Sequence, residues 1–228
     1  MALTNTIIMN LRLLRLASNA LPIGSFAHSQ GLESAHESGL LNDETDVFEW
    51  LRGIYSAGLS QTELPILARL REAFSDQDAH EIERLNELML ASRETKELWL
   101  EDQRQGAALK KILDEDEGRK AFEAPKGPQA LVTQWARAAK MWDIEELSMV
   151  QAYAFSWLEN ACLASAKLLP MGQLQVHRVM SQMFEIIATT QVPHFDEARW
   201  GPSLPGLALL SSQHEHQSPR LFYPKEAL

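Results

Sequence analysis

The residue types able to carry chemistry are few and scattered along the chain. Histidine stands beside glutamate at His36-Glu37, His80-Glu81 and His214-Glu215. None of the three has the H-E-x-x-H spacing that puts two imidazoles on one helical face around zinc. No Gly-Lys dipeptide occurs, so the loop that cradles nucleotide phosphates beside a lysine is missing. No Gly-x-Ser-x-Gly turn presents a nucleophilic serine. The single thiol, Cys162, lies among alanines in an apolar run, where cysteine packs as a small hydrophobe. One cysteine also excludes an intramolecular disulfide and a Cys₄ or Cys₂His₂ zinc site. His214 and His216 flank Glu215 near the C-terminal end. Two imidazoles hold nickel or zinc only weakly, so both are expected as solvent-exposed tail residues, with a weak or intersubunit metal site as the alternative. The pattern points away from an enzyme.

The elements that must position these residues are helices. Ile82, Leu85 and Met89 recur at i, i+3, i+7, and Leu147, Val150, Ala154, Trp157, Leu158, Ala161, Ser165 and Leu168 keep one face over six turns. No alternating β-branched run bounded by Asn-Gly or Asp-Gly is present. The spacing predicts helices at about 5–17, 28–38, 44–60, 63–75, 77–92, 94–115, 129–140, 145–169 and 171–190. Gly39 and Pro170 act as stop signals, and Pro65 sits in a first turn. Two stretches read as loops: 117–128, and residues 192–228, which hold five of the ten prolines. The acidic run Asp114 to Glu117 reads as a solvated helix end. The expected fold is all-α: a single-domain helical bundle of nine to ten helices over 1–191. A Pro-rich C-terminal tail over 192–228 follows, its order dependent on a partner.

The 228 residues are 45% hydrophobic and 23% charged, enough for a sizeable core. Twenty-one basic against 31 acidic residues leave a net charge of −10, which disfavours binding to nucleic-acid phosphates. The most apolar stretch, Ala161 to Leu169, is interrupted by Lys167 and too short to span a bilayer. No charged n-region, apolar run and cleavage site open the chain. A cytoplasmic protein, bound to neither membrane nor nucleic acid, is expected.

Four blocks then become specific. They are Leu13 to Glu33 (LLRLASNALPIGSFAHSQGLE), Ser92 to Leu98 (SRETKEL), Ser156 to Asn160 (SWLEN) with Lys167 to Gln173 (KLLPMGQ), and Ser211 to Gln217 (SSQHEHQ) followed by Arg220-Leu221-Phe222. In order and spacing, over nearly the whole chain, they resemble the urease accessory protein F family. The resemblance implies an all-α protein without catalytic activity and without a tightly bound cofactor. It implies a homodimer that docks on urease accessory protein D and recruits the urease accessory GTPase G. The assembly acts on apo-urease in a GTP-dependent nickel insertion that also uses carbon dioxide. Nickel and GTP would be handled by the partner complex.

On the same resemblance the partner-binding candidates are Phe26, His28, Glu33, Arg93, Glu94, Glu97, Lys167, Gln173, Arg220, Leu221 and Phe222. Each block also has a reading of its own. Pro22 and Gly24 make a turn that either only redirects the chain or also holds Phe26 and His28 at a partner surface. Arg93 and Glu97 stand at i, i+4 of a helix opened by Arg93 and Glu94, as an ordinary solvated pair or as part of an ion network. Lys167 is a helix-terminal cation or a GTPase contact, and Lys167 and Arg220 are the candidate fingers for an effect on GTP hydrolysis. Small residues Ala161, Ala164 and Ser165 permit close helix approach, in the core or at a dimer seam. The tail departs from the family's Ser-Arg-Leu-Phe-Arg-Ser, reading Pro219-Arg220-Leu221-Phe222-Tyr223-Pro224. Because it lies outside the periodic core, truncation after Gln217 is expected to leave the fold intact. A reading from another class, a helical enzyme or metal-binding protein using His28, His36 and the tail histidines, would require tightly held metal.

Overall fold

Carboxylate and hydroxyl caps open four of the helices. In a computed structural model, which describes residues 2–115, 124–192, 194–198, 200–201 and 204–222 (backbone alone for 2–7), the Asp43 carboxylate accepts the N–H groups of Thr45 and Asp46 at 2.8 and 3.0 Å and opens α3 (Glu44–Ile54). Asp78 accepts from Glu81 at the start of α5 (Ala79–Ala91), and Thr95 from Leu98 at the start of α6 (Lys96–Asp114). Glu145 caps α8 (Glu146–Leu168) through Leu147 and Ser148. Each cap of this kind contributes about 1 kcal/mol by satisfying N–H groups that the first turn leaves open. Pro65 sits in the first turn of α4 (Glu63–Asp76), where its missing N–H costs nothing. Leu168 is the last residue of α8, ahead of Pro170, and α9 (Gln173–Ala188) begins after Gly172.

These helices, with α1 (Ala2–Ala17), α2 (Leu32–Glu37), α7 (Leu131–Met141) and α10 (Pro205–His214), make the all-α architecture expected; the described residues contain no strand. At the centre, α4 contributes Leu64, Ile66, Leu67 and Leu70, all completely buried, and packs on α7. Helix α7 is covered on nearly every side, from Val132 through Ala139. Helix α6 lies along α7, α8 packs on α9 and α1, and α3 closes against α9. At Gly106 the approach of α6 to the chain leading into α7 reaches backbone contact: a Cβ there would stand 2.1 Å from the Gln129 carbonyl oxygen. Cys162 is buried in the core, and burial pushes its thiol up to about 12. Ala161, Ala164 and Ser165 are likewise buried within this one chain.

Three departures from the expected elements have local causes. The helix expected over 28–38 begins only at Leu32, because Gln30 and Gly31 both have positive φ (51° and 81°), which no right-handed helix accommodates. His28 is therefore in extended backbone after a 3₁₀ turn, Ser25–Ala27. The helix expected over 44–60 widens after Ile54 into a π-helical turn, Tyr55–Leu59. The stretch 192–228, read as loop, contains α10, a ten-residue helix with Pro205 in its first turn, packed on α2 and α6. Its leucines stand plainly in the sequence; the density of prolines around them masked the helix. Residues 117–123 of the expected loop, Asp116 and Glu117 of the acidic run, and Tyr223 and Pro224 lie outside the described residues. Asp114 is more than a solvated helix end, since it accepts from the buried Arg137 at 2.8 Å and from Lys110 at 2.6 Å.

Candidate functional site

Three of the four blocks meet at α6, and the α8 block joins them through Trp157, which donates to Gln30, and Lys167, which lies over Phe222. Gly31, in the left-handed region, admits the α10 leucines: a Cβ there would stand 2.7 Å from Leu207 Cδ1. This brings α10 against α2 and places the following segment over Glu33. The buried Glu33 carboxylate is then fully used. Its Oε1 accepts the Leu221 N–H at 2.6 Å, and its Oε2 accepts the Phe222 N–H at 2.9 Å and meets His214 Nε2 at 2.9 Å. The other ring nitrogen, His214 Nδ1, lies 2.6 Å from Glu97 Oε1 on α6. Around this line, the Glu97 N–H donates to Glu215 at 3.0 Å, Ser34 donates to Gln217 at 3.1 Å, and the Thr95 and Ser211 hydroxyls are 2.8 Å apart. Burial pushes the Glu33 carboxyl up, but the Leu221 and Phe222 N–H groups with His214 outweigh it and hold it below the ordinary 4.5. Burial likewise pushes His214 down, and Glu97 and Glu33 outweigh it, so the imidazole sits above 6.5.

A second cluster joins four helices. Arg93 Nε donates to Asp102 on α6 at 2.9 Å and its Nη1 to Glu63 on α4 at 2.8 Å. Asp102 also accepts the Leu131 N–H at the start of α7 at 2.7 Å, and Glu63 accepts the Tyr153 hydroxyl of α8. The Tyr153 ring meets Trp135 edge-on, with centroids 5.2 Å apart. Beside it, burial pushes Glu101 up to about 7 while Gln30 and Gln105 donate to its Oε1 at 2.7 and 3.0 Å. His28 Nδ1 is 3.8 Å from Glu101, and burial with Arg104 nearby holds its imidazole down to about 4. A cavity of about 130 Å³ borders both groups, lined by Gln30, Arg93, Glu101, Tyr153 and Trp157 among others.

The candidates thus divide by exposure. Phe26, Glu94, Lys167, Gln173 and Leu221 are exposed, Phe26 at 61% and Leu221 at 62% of their full area. His28, Glu33 and Phe222 are buried, so His28 is not presented beside Phe26 on an open surface. The expectation of an exposed His214 is corrected: the ring is 1% exposed because α10 seats it between two carboxylates, whereas His216 is exposed. Both His214 nitrogens are thereby occupied, and the described residues contain no group of three or more His, Cys, Asp or Glu able to hold a metal ion. Arg93 and Glu94 precede α6 instead of opening it, and the Arg93–Glu97 pair is replaced by the Arg93–Glu63–Asp102 network. Lys167 Nζ lies 5.4 Å from the Phe222 ring centroid, a cation–π contact onto the tail. Arg220 Nη1 donates to the His214 carbonyl at 3.3 Å.

Glu63, Glu101, Asp102, Gln105 and Tyr153 escaped the sequence reading. One signal was available: Glu101 and Gln105 fall on the same i, i+4 stripe as Leu109 and Leu113, and polar residues on a core stripe require buried partners. Outside these clusters, Ile8, Leu11 and Leu14 leave an apolar strip of α1 exposed at 44–67%. No helix among the described residues is long and apolar enough to cross a membrane.

Comparison with known proteins closes the picture. Residues 41–184 match the family model described as UreF. The chain is 37% identical over 214 residues to the urease accessory protein UreF of Hahella chejuensis, covering 93% of this chain and 96% of that one. It is 39% identical over 212 residues to that of Chromohalobacter salexigens (92% of each) and 40% identical over 214 residues to that of Marinobacter nauticus (93% of each).

Proposed function

We propose, from the premise that this chain belongs to the UreF family of urease accessory proteins, that it is a non-enzymatic cytoplasmic scaffold for nickel insertion into apo-urease. In this reading it binds urease accessory protein D and the accessory GTPase G as a homodimer, and nickel and GTP are handled by that complex. The observation that carries the reading is identity of 37–40% along 92–93% of the chain to proteins named for urease maturation. The chemistry agrees with it: the polar residues at α6 are engaged chiefly with one another, Glu97 Oε2 excepted, as befits a part that holds shape and offers contacts. Phe26, Leu221 and the α1 strip supply exposed apolar area of the kind that partner surfaces use.

The test is urease activity and nickel content in cells carrying the urease genes with this one gene deleted. Inactive, nickel-poor urease, restored by supplying the gene, is the expected result. Active, nickel-replete urease in the deletion strain overturns the reading.

A narrower prediction concerns the tail. Arg220→Ala is expected to weaken co-purification of the GTPase while costing ~0.5–1.5 kcal/mol of stability, the worth of its hydrogen bond to the His214 carbonyl. Truncation after Gln217 costs more than the sequence suggested. It removes Phe222, which is 4% exposed, and burial of such a side chain contributes ~1.5–3 kcal/mol. The truncated protein is expected to retain its helical circular dichroism with a lower melting temperature and to lose the GTPase. Undiminished capture by both variants would exclude the tail as a contact.

A further inference from the structure

We propose that Glu33, His214 and Glu97 form a proton-operated latch, which holds the 214–222 segment on α2 and α6 while the imidazole carries both its protons and loosens that segment when one is lost. The geometry carries this. Both ring nitrogens lie within hydrogen-bond distance of a carboxylate oxygen, Nε2 at 2.9 Å from Glu33 and Nδ1 at 2.6 Å from Glu97. A carboxylate only accepts, so each contact needs an N–H on the ring. A neutral imidazole has one N–H and turns a lone pair toward the second carboxylate. Loss of the proton therefore replaces a charge-assisted bond with repulsion in a buried site. The same Glu33 carboxylate holds the Leu221 and Phe222 N–H groups, so disturbance at the ring passes directly to the segment.

The charges around the ring support the assignment. From α2 comes Glu33 and from α6 Glu97, whose Oε2 is buried with no hydrogen-bond partner. Glu215, next to the ring in sequence, accepts the Glu97 N–H, and the exposed His216 ring contacts the Ser212 carbonyl. On the tail, Arg220 is engaged with the His214 carbonyl, and from α8 Lys167 lies over Phe222. His28, whose ring feels Glu97, is held neutral by burial at ordinary pH. The imidazolium is thus the cation seated between the two carboxylates.

The sense of the pH response follows. His214 is raised above 6.5 in the latched state, so its contribution is complete below 6.5 and is lost as pH rises through the raised value. Glu33 is lowered below 4.5, so its contribution is complete above 4.5 and is lost as pH falls through the lowered value. The latch is tightest between these limits and opens on the alkaline side. Any effect of an open latch on partner capture rests on the scaffold reading above; the latch itself requires no partner.

The experiment is amide hydrogen exchange on the purified full chain at about pH 6 and about pH 9, expressed as protection factors, with α4 amides as internal reference. Protection of the Leu221 and Phe222 amides is expected to fall by up to about tenfold per pH unit as the imidazole titrates, the limit for one linked proton, while α4 is unchanged. In His214→Gln that dependence is expected to vanish. Equal protection at both pH values, or an unchanged dependence in His214→Gln, overturns the proposal. Should His214→Gln fail to fold, nitrogen NMR of the wild-type imidazole decides: two protonated ring nitrogens at about pH 6 support the latch, and one overturns it. A deletion strain with normal urease would overturn the scaffold reading and leave these results standing.

Discussion

Arg93→Ala is expected to destabilise the protein by about 3 kcal/mol, read as a lower midpoint in urea unfolding followed by circular dichroism. The side chain neutralises two carboxylates at once, Glu63 at 2.8 Å and Asp102 at 2.9 Å, whose side chains are 14% and 3% exposed. Removing one member of a buried ion set leaves the others charged and unpaired, which costs ~3–5 kcal/mol. The lower end applies because the Arg93 side chain as a whole is 20% exposed, so water can enter the space it leaves. Burial already pushes Asp102 above the ordinary 3.8 despite Arg93 beside it, and loss of Arg93 drives it further up. Arg93→Lys is expected to rescue only partly, since a single ammonium cannot offer the planar fork that reaches both carboxylates. A midpoint unchanged by Arg93→Ala would show that the network is not what ties α4, α6, α7 and α8 together.

Gly106→Ala should do comparable damage with one methyl group. The added carbon would stand 2.1 Å from the Gln129 carbonyl oxygen, 2.7 Å from its carbon and 2.9 Å from the Ala130 carbonyl carbon. All three are backbone atoms, so no rotamer change relieves the overlap and α6 must withdraw from the entry to α7. Overpacking of this sort costs ~1–3 kcal/mol where side chains can adjust, and the upper end or beyond is expected here. The helix propensity gained over glycine, about 1 kcal/mol, offsets only part. The same withdrawal strains the Asp102 bond to the Leu131 N–H, so the two substitutions should be less than additive when combined. Thermal melting of both single variants and the double variant measures this. Full additivity would mean that the two sites are independent.

Helices whose stability is written locally were legible. Of the α8 stripe, Val150, Ala154, Leu158, Ala161 and Ser165 are buried and Leu147, Trp157 and Leu168 half-buried along its edges, and Pro170 stands two residues after Leu168, the last residue of the helix. Cys162 as a core residue followed from its neighbours. The conformation at Gln30 and Gly31 was not, because a positive φ at a glutamine leaves no periodic trace. The Arg93 network was hidden for another reason: its partners stand 30 and 9 positions away, and no local rule connects them. The i, i+4 rule offered Glu97 instead, a nearer residue that the fold uses to hold His214. The tail misled through composition, since proline-rich sequence is commonly unfolded, yet Pro205 is harmless in a first helical turn. Glu33 was named from resemblance alone, and its place became intelligible only with residues 188 and 189 positions further on.

That separation also orders the way the protein assembles. Closing a loop of such length in an open chain would forfeit about 4–5 kcal/mol of entropy, by the logarithmic dependence on loop length. The cost shrinks once α3 through α9 have docked, because the intervening residues are then already confined. Contacts so remote in sequence form late, after the local helices and their nearer pairings. A nearly complete helical body is therefore expected to precede the seating of 214–222, with Glu33 awaiting the amides of Leu221 and Phe222 at that stage.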